Sequence, residues 1–394
     1  MGRFGTGIKE GRYGLMTIVL VWAGFVVTGC MYLTIPLISL FSNIFSAPET
    51  DTVWVTSIFA ISFAVACIFF GPIAHKVGSK NVIVAGLIGL GVTSAVLGSV
   101  NDLTTVIAIR AVQGACAATF SPVALAYVAE LFPVHKRVGT IGLISFGFML
   151  SGIIGQVYSS AVTSALGWNQ MFTVLAAVYI LTALSVLLFI PARSTDGHSI
   201  ISAFKQIPPL FRNPSLRLAF VVASVELLAF VGMYAVLGSV LTDRFGYSDS
   251  DILNARAVGI IGMVLTPLAG PLSRRFGVLK NIFAGLVLAI VGLVLLGLGG
   301  SVESLIISSV ITVAGISLAL PLVISLVGDL GGEQRGIATS TYAFFLFVGA
   351  SIGPIISVFV LDMAGSALAF CTVALCVLIG VIALPFIRYE PQKI

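Results

Sequence analysis

The chain has 394 residues, of which 58% are hydrophobic and 9% charged, and carries a formal net charge of +5. A soluble domain carries about 25% charged residues, so this surface cannot face water and a soluble globular fold is excluded. Apart from Arg110, Arg244 and Arg256, the Lys and Arg residues fall in tails and connections on one side of the apolar runs. That is the positive-inside pattern of a membrane protein, and it leaves nucleic-acid binding without support.

Apolar runs of about 20 residues, the length that crosses a bilayer as a helix, recur from end to end. The first is preceded by Arg3, Lys9 and Arg12, and Val27-Thr28-Gly29-Cys30 resembles a lipoprotein cleavage box. The run continues past Cys30 to Phe41, longer than the roughly 7–15 residues of a signal core, so it is read as an uncleaved first span. Twelve spans follow from the same criterion: 14–42, 53–74, 81–100, 104–128, 138–163, 169–191, 216–241, 252–272, 280–299, 303–327, 336–360 and 366–388. The expected fold is all-α and integral to the membrane, with both termini cytoplasmic and the chain in the cell (inner or plasma) membrane as a monomer.

Most connections are short, so consecutive spans are antiparallel neighbours. The long one, 192–215, holds Arg193, Lys205, Arg212 and the Pro208-Pro209 pair. It divides the chain into an N-terminal half, 1–191, and a C-terminal half, 216–394. Phe204, Ile207, Leu210 and Phe211 give it an amphipathic character, which fits a short helix on the membrane surface.

The halves repeat. Gly71-Pro72-Ile73-Ala74-His75-Lys76-Val77-Gly78 returns as Gly270-Pro271-Leu272-Ser273-Arg274-Arg275-Phe276-Gly277, 199 residues later. The same interval joins Pro122 to Pro321 and Glu130 to Asp329. An even number of spans per half makes these parallel repeats about an axis along the membrane normal, with substrate expected at the midplane between them. Glycines in spans three, five and eight mark close helix contacts, and Pro36, Pro122, Pro267, Pro321 and Pro354 are expected to soften their spans.

The five cysteines lie in apolar runs and read as packing residues. His75, His135 and His198 lie in polar connections. No metal constellation, nucleotide loop or nucleophile motif is present, so neither a cofactor nor an enzymatic activity is expected.

Two six-span halves with a glycine-bounded basic loop between spans two and three, echoed between eight and nine, resemble the major facilitator superfamily. The Gly71–Lys80 loop resembles that family's signature A. Arg110-Ala111-Val112-Gln113-Gly114 resembles signature B, Arg-x-x-Gln-Gly, associated with proton-coupled export. Gly147, Gly152 and Gly155-Gln156 loosely resemble signature C; Gly353-Pro354 matches it better, in the other half. The resemblance implies alternating access and, within the family, the twelve-span drug–proton antiporters and exporters of small metabolites. The chain departs from the pattern in three places. His75 and Arg274 stand where signature A has an acid, span one has no acid, and span seven has one, Glu226.

Glu226 is the deep acid, roughly 15 Å into span seven at 1.5 Å per residue. An intramembrane carboxylate should face the bundle interior, paired or protonated, so proton or cation handling is the functional reading. A structural acid bonded to a neighbouring helix is the plain one. Phe230 and Tyr234 share its face at i+4 and i+8. Arg110, the deep cation, does not deprotonate. It can hold backbone carbonyls and Gln113, bind an anionic substrate group, or act on a nearby carboxyl. Thr28, Tyr32 and Pro36 recur at i+4 in span one. The expected cavity therefore comprises Arg110, Gln113, Tyr32, Thr28, Phe230, Tyr234 and Gln156. Arg256 is expected to be a solvated interfacial charge, with an outer gate as the other option.

At the cytoplasmic side, Glu130 and Asp329 end spans four and ten. They are expected to supply the acidic half of an inner latch against Lys76, Arg137, Arg274 and Arg335, beside Gly71, His75, Gly78, Gly270, Arg275 and Gly277. The resulting expectation is proton-driven export of a small amphipathic compound, a drug or metabolite. The alternatives are an importer or facilitator of a sugar, amino acid or organic anion, a lipid flippase, or a membrane receptor.

Overall fold

The computed structural model describes residues 10–192 and 205–389. Arg193, His198 and Phe204 lie outside the described residues, as do Arg3 and Lys9. Among the described residues the chain is helical with no strand. In a bilayer this is the only open-ended way to satisfy every backbone N–H and C=O internally.

The helices are α1 (Arg12–Phe45), α2 (Trp54–Val77), α3 (Ser79–Leu97), α4 (Leu103–Leu131), α5 (His135–Leu166), α6 (Trp168–Phe189), α7 (Pro214–Phe245), α8 (Ser250–Phe276), α9 (Val278–Leu298) and α10 (Val302–Leu330). The last run, Gly332–Phe386, is 55 residues long. At 1.5 Å per residue it would span about 80 Å, far beyond a hydrocarbon core of about 30 Å. It turns back on itself at Gly365, whose φ of 82° is non-helical, and so supplies α11 (332–364) and α12 (366–386). The twelve expected spans are accommodated, with one glycine in place of the expected last loop.

The repeat extends into the backbone. Gly78 (φ 93°) and Gly277 (φ 90°) join α2 to α3 and α8 to α9. Gly167 (φ 91°) and Gly365 (φ 82°) do the same for α5–α6 and α11–α12. Only glycine takes this positive φ without a Cβ clash. Polar caps set several starts: Asp102 accepts from the Thr105 N–H, and Ser248–Asp251 and Ser301–Ser304 form capping boxes.

The prolines do not act alike. Around Pro36, α1 passes through a 3-10 turn at Ile35–Leu37. At Pro122, α4 breaks between Ala117 and Ser121. Its repeat mate Pro321 lies inside an unbroken α10, and Pro354 lies inside α11.

Within the first six helices, α1 packs on α5, α2 on α4 and α3 on α6; within the last six, α7 packs along α11 and α12, and α9 on α10. Contacts between the two groups run through α2 and α4 to α11 and through α5 to α8 and α10. The pairs α2–α11 and α8–α5 are exchanged by the repeat. Both rest on missing side chains: Gly71 of α2 abuts Ser340, and a Cβ on Gly270 of α8 would lie 3.3 Å from the Gly139 nitrogen. Ile18, Leu188 and Ile355, each about two-thirds exposed, belong to the apolar outer face that lipid covers.

The long connection is described from residue 205 onward. Its described part makes one turn, Ile207–Leu210. Leu210 is buried, and the Phe211 ring lies 5.7 Å from Phe220 and 6.0 Å from Phe345. Leu210 is thus buried, while Phe211 touches α7 and α11 and stays partly exposed.

Candidate functional site

Arg110 is fully buried on α4. Its Nε donates to the Val55 carbonyl at 3.1 Å, and Nη1 to Gln113 Oε1 at 2.9 Å and Cys30 Sγ at 3.4 Å. Nη2 donates to the Cys30 carbonyl at 3.1 Å and Thr34 Oγ1 at 3.4 Å. Every guanidinium N–H thus has an acceptor, and the group sits 4.3 Å over the Phe59 ring, where a cation is favoured. The local fold supplies these acceptors. Cys30 and Thr34 flank the point where α1 breaks before Pro36, and the last carbonyls of a helix lack partners of their own. Gln113 completes the network, its Nε2 donating to Ser94 Oγ at 2.9 Å.

Glu226 on α7 is also fully buried, but both carboxyl oxygens lack a hydrogen bond. The Tyr342 hydroxyl of α11 faces it and is itself without a well-formed hydrogen bond. Sequence reasoning missed Tyr342. The only signal was a tyrosine among the small residues of α11, which does not locate a partner across the bundle.

Between the two groups of helices lies a cavity of about 40 Å³, room for a few waters and far below the roughly 300–1,000 Å³ of a ligand pocket. This is a closed conformation. Thr28, Tyr32 and Phe230, of the residues singled out in the sequence, line this cavity. Arg110, Gln113, Gln156 and Tyr234 are not among its lining residues. Arg110 and Gln113 are committed to each other. Gln156 Nε2 donates to the Gly152 carbonyl at 2.6 Å. Tyr234 turns outward, its ring 5.1 Å from Phe230 and under the Arg256 guanidinium at 5.7 Å. Arg256 Nη2 also donates to the Tyr234 carbonyl at 3.2 Å, which joins α8 to α7 at this partly buried position. The sequence also missed Ser121 and Ser145, which line the cavity, because isolated serines in apolar helices carry no periodic signal.

At the end of the bundle that carries the glycine loops and most Lys and Arg, contacts cross between the two groups beside a cleft of about 810 Å³ lined by Arg137, Gly270, Arg274 and Asp329 among others. Arg335 Nη2 lies 3.3 Å from Asp329 Oδ1. Both residues sit in the last six helices, however, so the pair itself does not bridge the groups. The crossing is made by Arg335 Nη1 to the Ala129 carbonyl at 2.9 Å, and by Arg274 Nη1 to the His135 carbonyl at 3.4 Å. Glu130 lies against Gly336 of α11. Tyr389 donates to Asp329 Oδ2 at 3.1 Å. Arg137 bonds the Phe132 carbonyl at 2.8 Å, Lys76 is exposed, His75 is half-buried, and Arg275 stacks on Phe276 at 5.2 Å. Arginine-to-carbonyl contacts thus stand beside the Arg335–Asp329 pair at this end. Helix ends present unpaired carbonyls at this place, and the signature-loop acid that would compete for the arginines is absent.

A family model for the Major Facilitator Superfamily matches residues 20–265 and 252–394. The chain is a member of the major facilitator superfamily. Its curated relatives are distant. An uncharacterized transporter of Buchnera aphidicola subsp. Schizaphis graminum is 22% identical over 346 residues, covering 86% of this chain and 83% of that protein. The multidrug resistance protein MdtG of Enterobacter lignolyticus is 23% identical, covering 93% and 90%. The quinolone resistance protein NorA of Staphylococcus aureus is 24% identical, covering 82% and 84%. Among solved structures, the human organic anion transporter MFSD10 superimposes with a TM-score of 0.79 at 18% identity, covering 96% of this chain and 100% of that one. The E. coli fucose:proton symporter FucP gives 0.77 at 18%, with the same coverage. These likenesses show the fold. This member of the superfamily is a multi-pass membrane transporter.

Proposed function

We propose that this transporter exports a small amphipathic drug or metabolite in exchange for protons. The observation that carries the reading is Glu226, a fully buried acid without a hydrogen-bond partner. A bare carboxylate in hydrocarbon costs several kcal/mol, so the group is kept where its proton can come and go. MdtG and NorA, named for drug resistance, support the outward direction. Residues 1–191 and 216–394 act as two bodies that rock about the cavity, joined by 192–215. The working unit is a monomer in the cell (plasma) membrane, both termini in the cytoplasm.

With the basic end held together by Arg335 and Arg274, the opposite end parts, the cavity empties outward, and Glu226 takes a proton from that side. Neutralised, it no longer opposes closure of an apolar wall. The gate at the basic end then opens, and the proton leaves inward as the next substrate enters.

The test is proton flux in proteoliposomes. In the wild type, an imposed proton gradient drives uptake of a neutral amphiphilic probe, radiolabelled chloramphenicol, against its concentration, and the probe added without a gradient moves protons. In Glu226→Gln both are lost, while gradient-free counterflow continues and no longer varies with pH. Wild-type transport indifferent to the proton gradient would overturn the reading and point to a facilitator.

A further inference from the structure

The central cavity has two unlike walls. The polar lining residues, Thr28, Tyr32, Ser121 and Ser145, come from α1, α4 and α5. The opposite wall, from α7, α10 and α11, is apolar throughout, with Leu227, Phe230, Leu320, Ile324, Leu346 and Phe347 among it. A cavity with this division favours one orientation of an amphipathic guest.

The hydroxyls differ in what they already bond. Thr28 Oγ1 donates to the Gly24 carbonyl at 2.6 Å and lies 2.8 Å from Ser151 Oγ. Ser151 in turn donates to the Phe148 carbonyl at 2.7 Å, the usual return of a helical serine to its own backbone. Ser121 and Ser145 do neither. They are 1% and 0% exposed, and neither Oγ meets a hydrogen-bond partner. Buried polar groups are nearly always paired; two orphans on one wall of one cavity are a site prepared for something that completes them.

No lining residue is charged. Glu226 lies next to Leu227 in sequence but outside the lining, and Arg110 is consumed by its own network. A net charge seated here would have no counter-charge and would pay its desolvation in full. A hydrogen-bonding group that is not ionised would gain the two serines.

We propose that the cavity, once its walls part, seats an uncharged amphiphile. Its hydroxyl or carbonyl bonds Ser121 and Ser145, and its ring or chain lies on Phe230, Leu346 and Phe347. The inference rests on the transporter reading above, but not on proton coupling. Substrate and proton then occupy separate places, and they communicate through α11. That helix carries Tyr342 toward Glu226 and carries Leu346 and Phe347 in the lining.

The experiment is equilibrium binding to the purified full chain in nanodiscs, read as a saturable rise in unfolding temperature. Four probes share one ring system: 2-naphthalenemethanol, 2-ethylnaphthalene, 2-naphthoate and (2-naphthylmethyl)trimethylammonium. The alcohol is expected to bind at least tenfold more tightly than either ion. Ser121→Ala/Ser145→Ala is expected to lower the alcohol's affinity about tenfold and leave ethylnaphthalene unchanged, with each single variant intermediate. An ion that binds as well as the alcohol, an alcohol that does not bind, or a double variant that binds it undiminished overturns the proposal. If the double variant does not fold, the wild-type ranking of the four probes decides alone. A preference for the cation would leave the proton-coupled reading standing, and loss of that reading in liposomes would leave this ranking unaffected.

Discussion

Arg110 and Glu226 are both charged, both fully buried and both in the middle of apolar helices, yet their surroundings are opposite. Arg110 has an acceptor for every N–H and an aromatic ring beneath it. Glu226 has a tyrosine hydroxyl nearby and no hydrogen bond. A guanidinium keeps its charge under all working conditions, so the protein must solvate it permanently. A carboxylate can shed its charge by taking a proton, so a poorly solvated carboxylate is tolerable if it spends part of a cycle neutral. The first arrangement ties α1, α2 and α4 together; the second leaves an acid without a hydrogen bond between α7 and α11.

The contrast is broken or sharpened by substitution. The largest effect belongs to Arg110→Met. It strands the Gln113 oxygen and the Val55 and Cys30 carbonyls at about 1–3 kcal/mol each. With a total stability of about 5–15 kcal/mol, expression and the thermal transition should be largely lost. A folded Arg110→Met with an unchanged transition would show that the network is dispensable. Glu226→Leu should act with the opposite sign. Removing an unpaired buried acid raises stability by about 1–3 kcal/mol, visible as a higher unfolding temperature while coupled proton flux disappears. If this variant were as damaging as Arg110→Met, Glu226 would be structural. The smallest effect is Tyr342→Phe. Loss of an unpaired hydroxyl should change stability by about 1 kcal/mol or less, and coupled flux should fall a few-fold because the carboxyl loses its polar neighbour. Flux equal to wild type would remove Tyr342 from the mechanism.

The spans and the two-fold repeat were legible in the sequence because both rest on patterns that survive linear reading. Apolar run length is set by bilayer thickness, and Gly71 and Gly270 stand at a fixed interval. The glycine pair Gly167 and Gly365 escaped for the same reason: one residue of slippage removes it from that interval although its backbone shape repeats. The two deep charges were also legible, since a charge in an apolar run needs no partner to be noticed. What they do was not. Arg110 was a candidate for the cavity until its acceptors appeared, and three of these sit on α1 and α2, far off in sequence. The serines and Tyr342 were invisible, since their meaning lies in which hydroxyls find no partner. The inner latch was half legible. Asp329 and Arg335 were named, but Arg335 reaches across to a backbone carbonyl at Ala129, and carbonyls have no letter of their own.

The turn at Gly365 bears on how the chain enters the membrane. Between Arg335 and Arg388 the only charged residue is Asp362, and no loop separates the two helices. The insertion machinery therefore meets α11 and α12 as one hairpin, with a single acid and a few polar atoms to carry to the far side. Neither helix can settle alone, because the partner follows within one residue. Biogenesis of the C-terminal end is accordingly a concerted step, and a stretch of polar residues inserted after Gly365 should slow it by giving the translocating tip more water to shed.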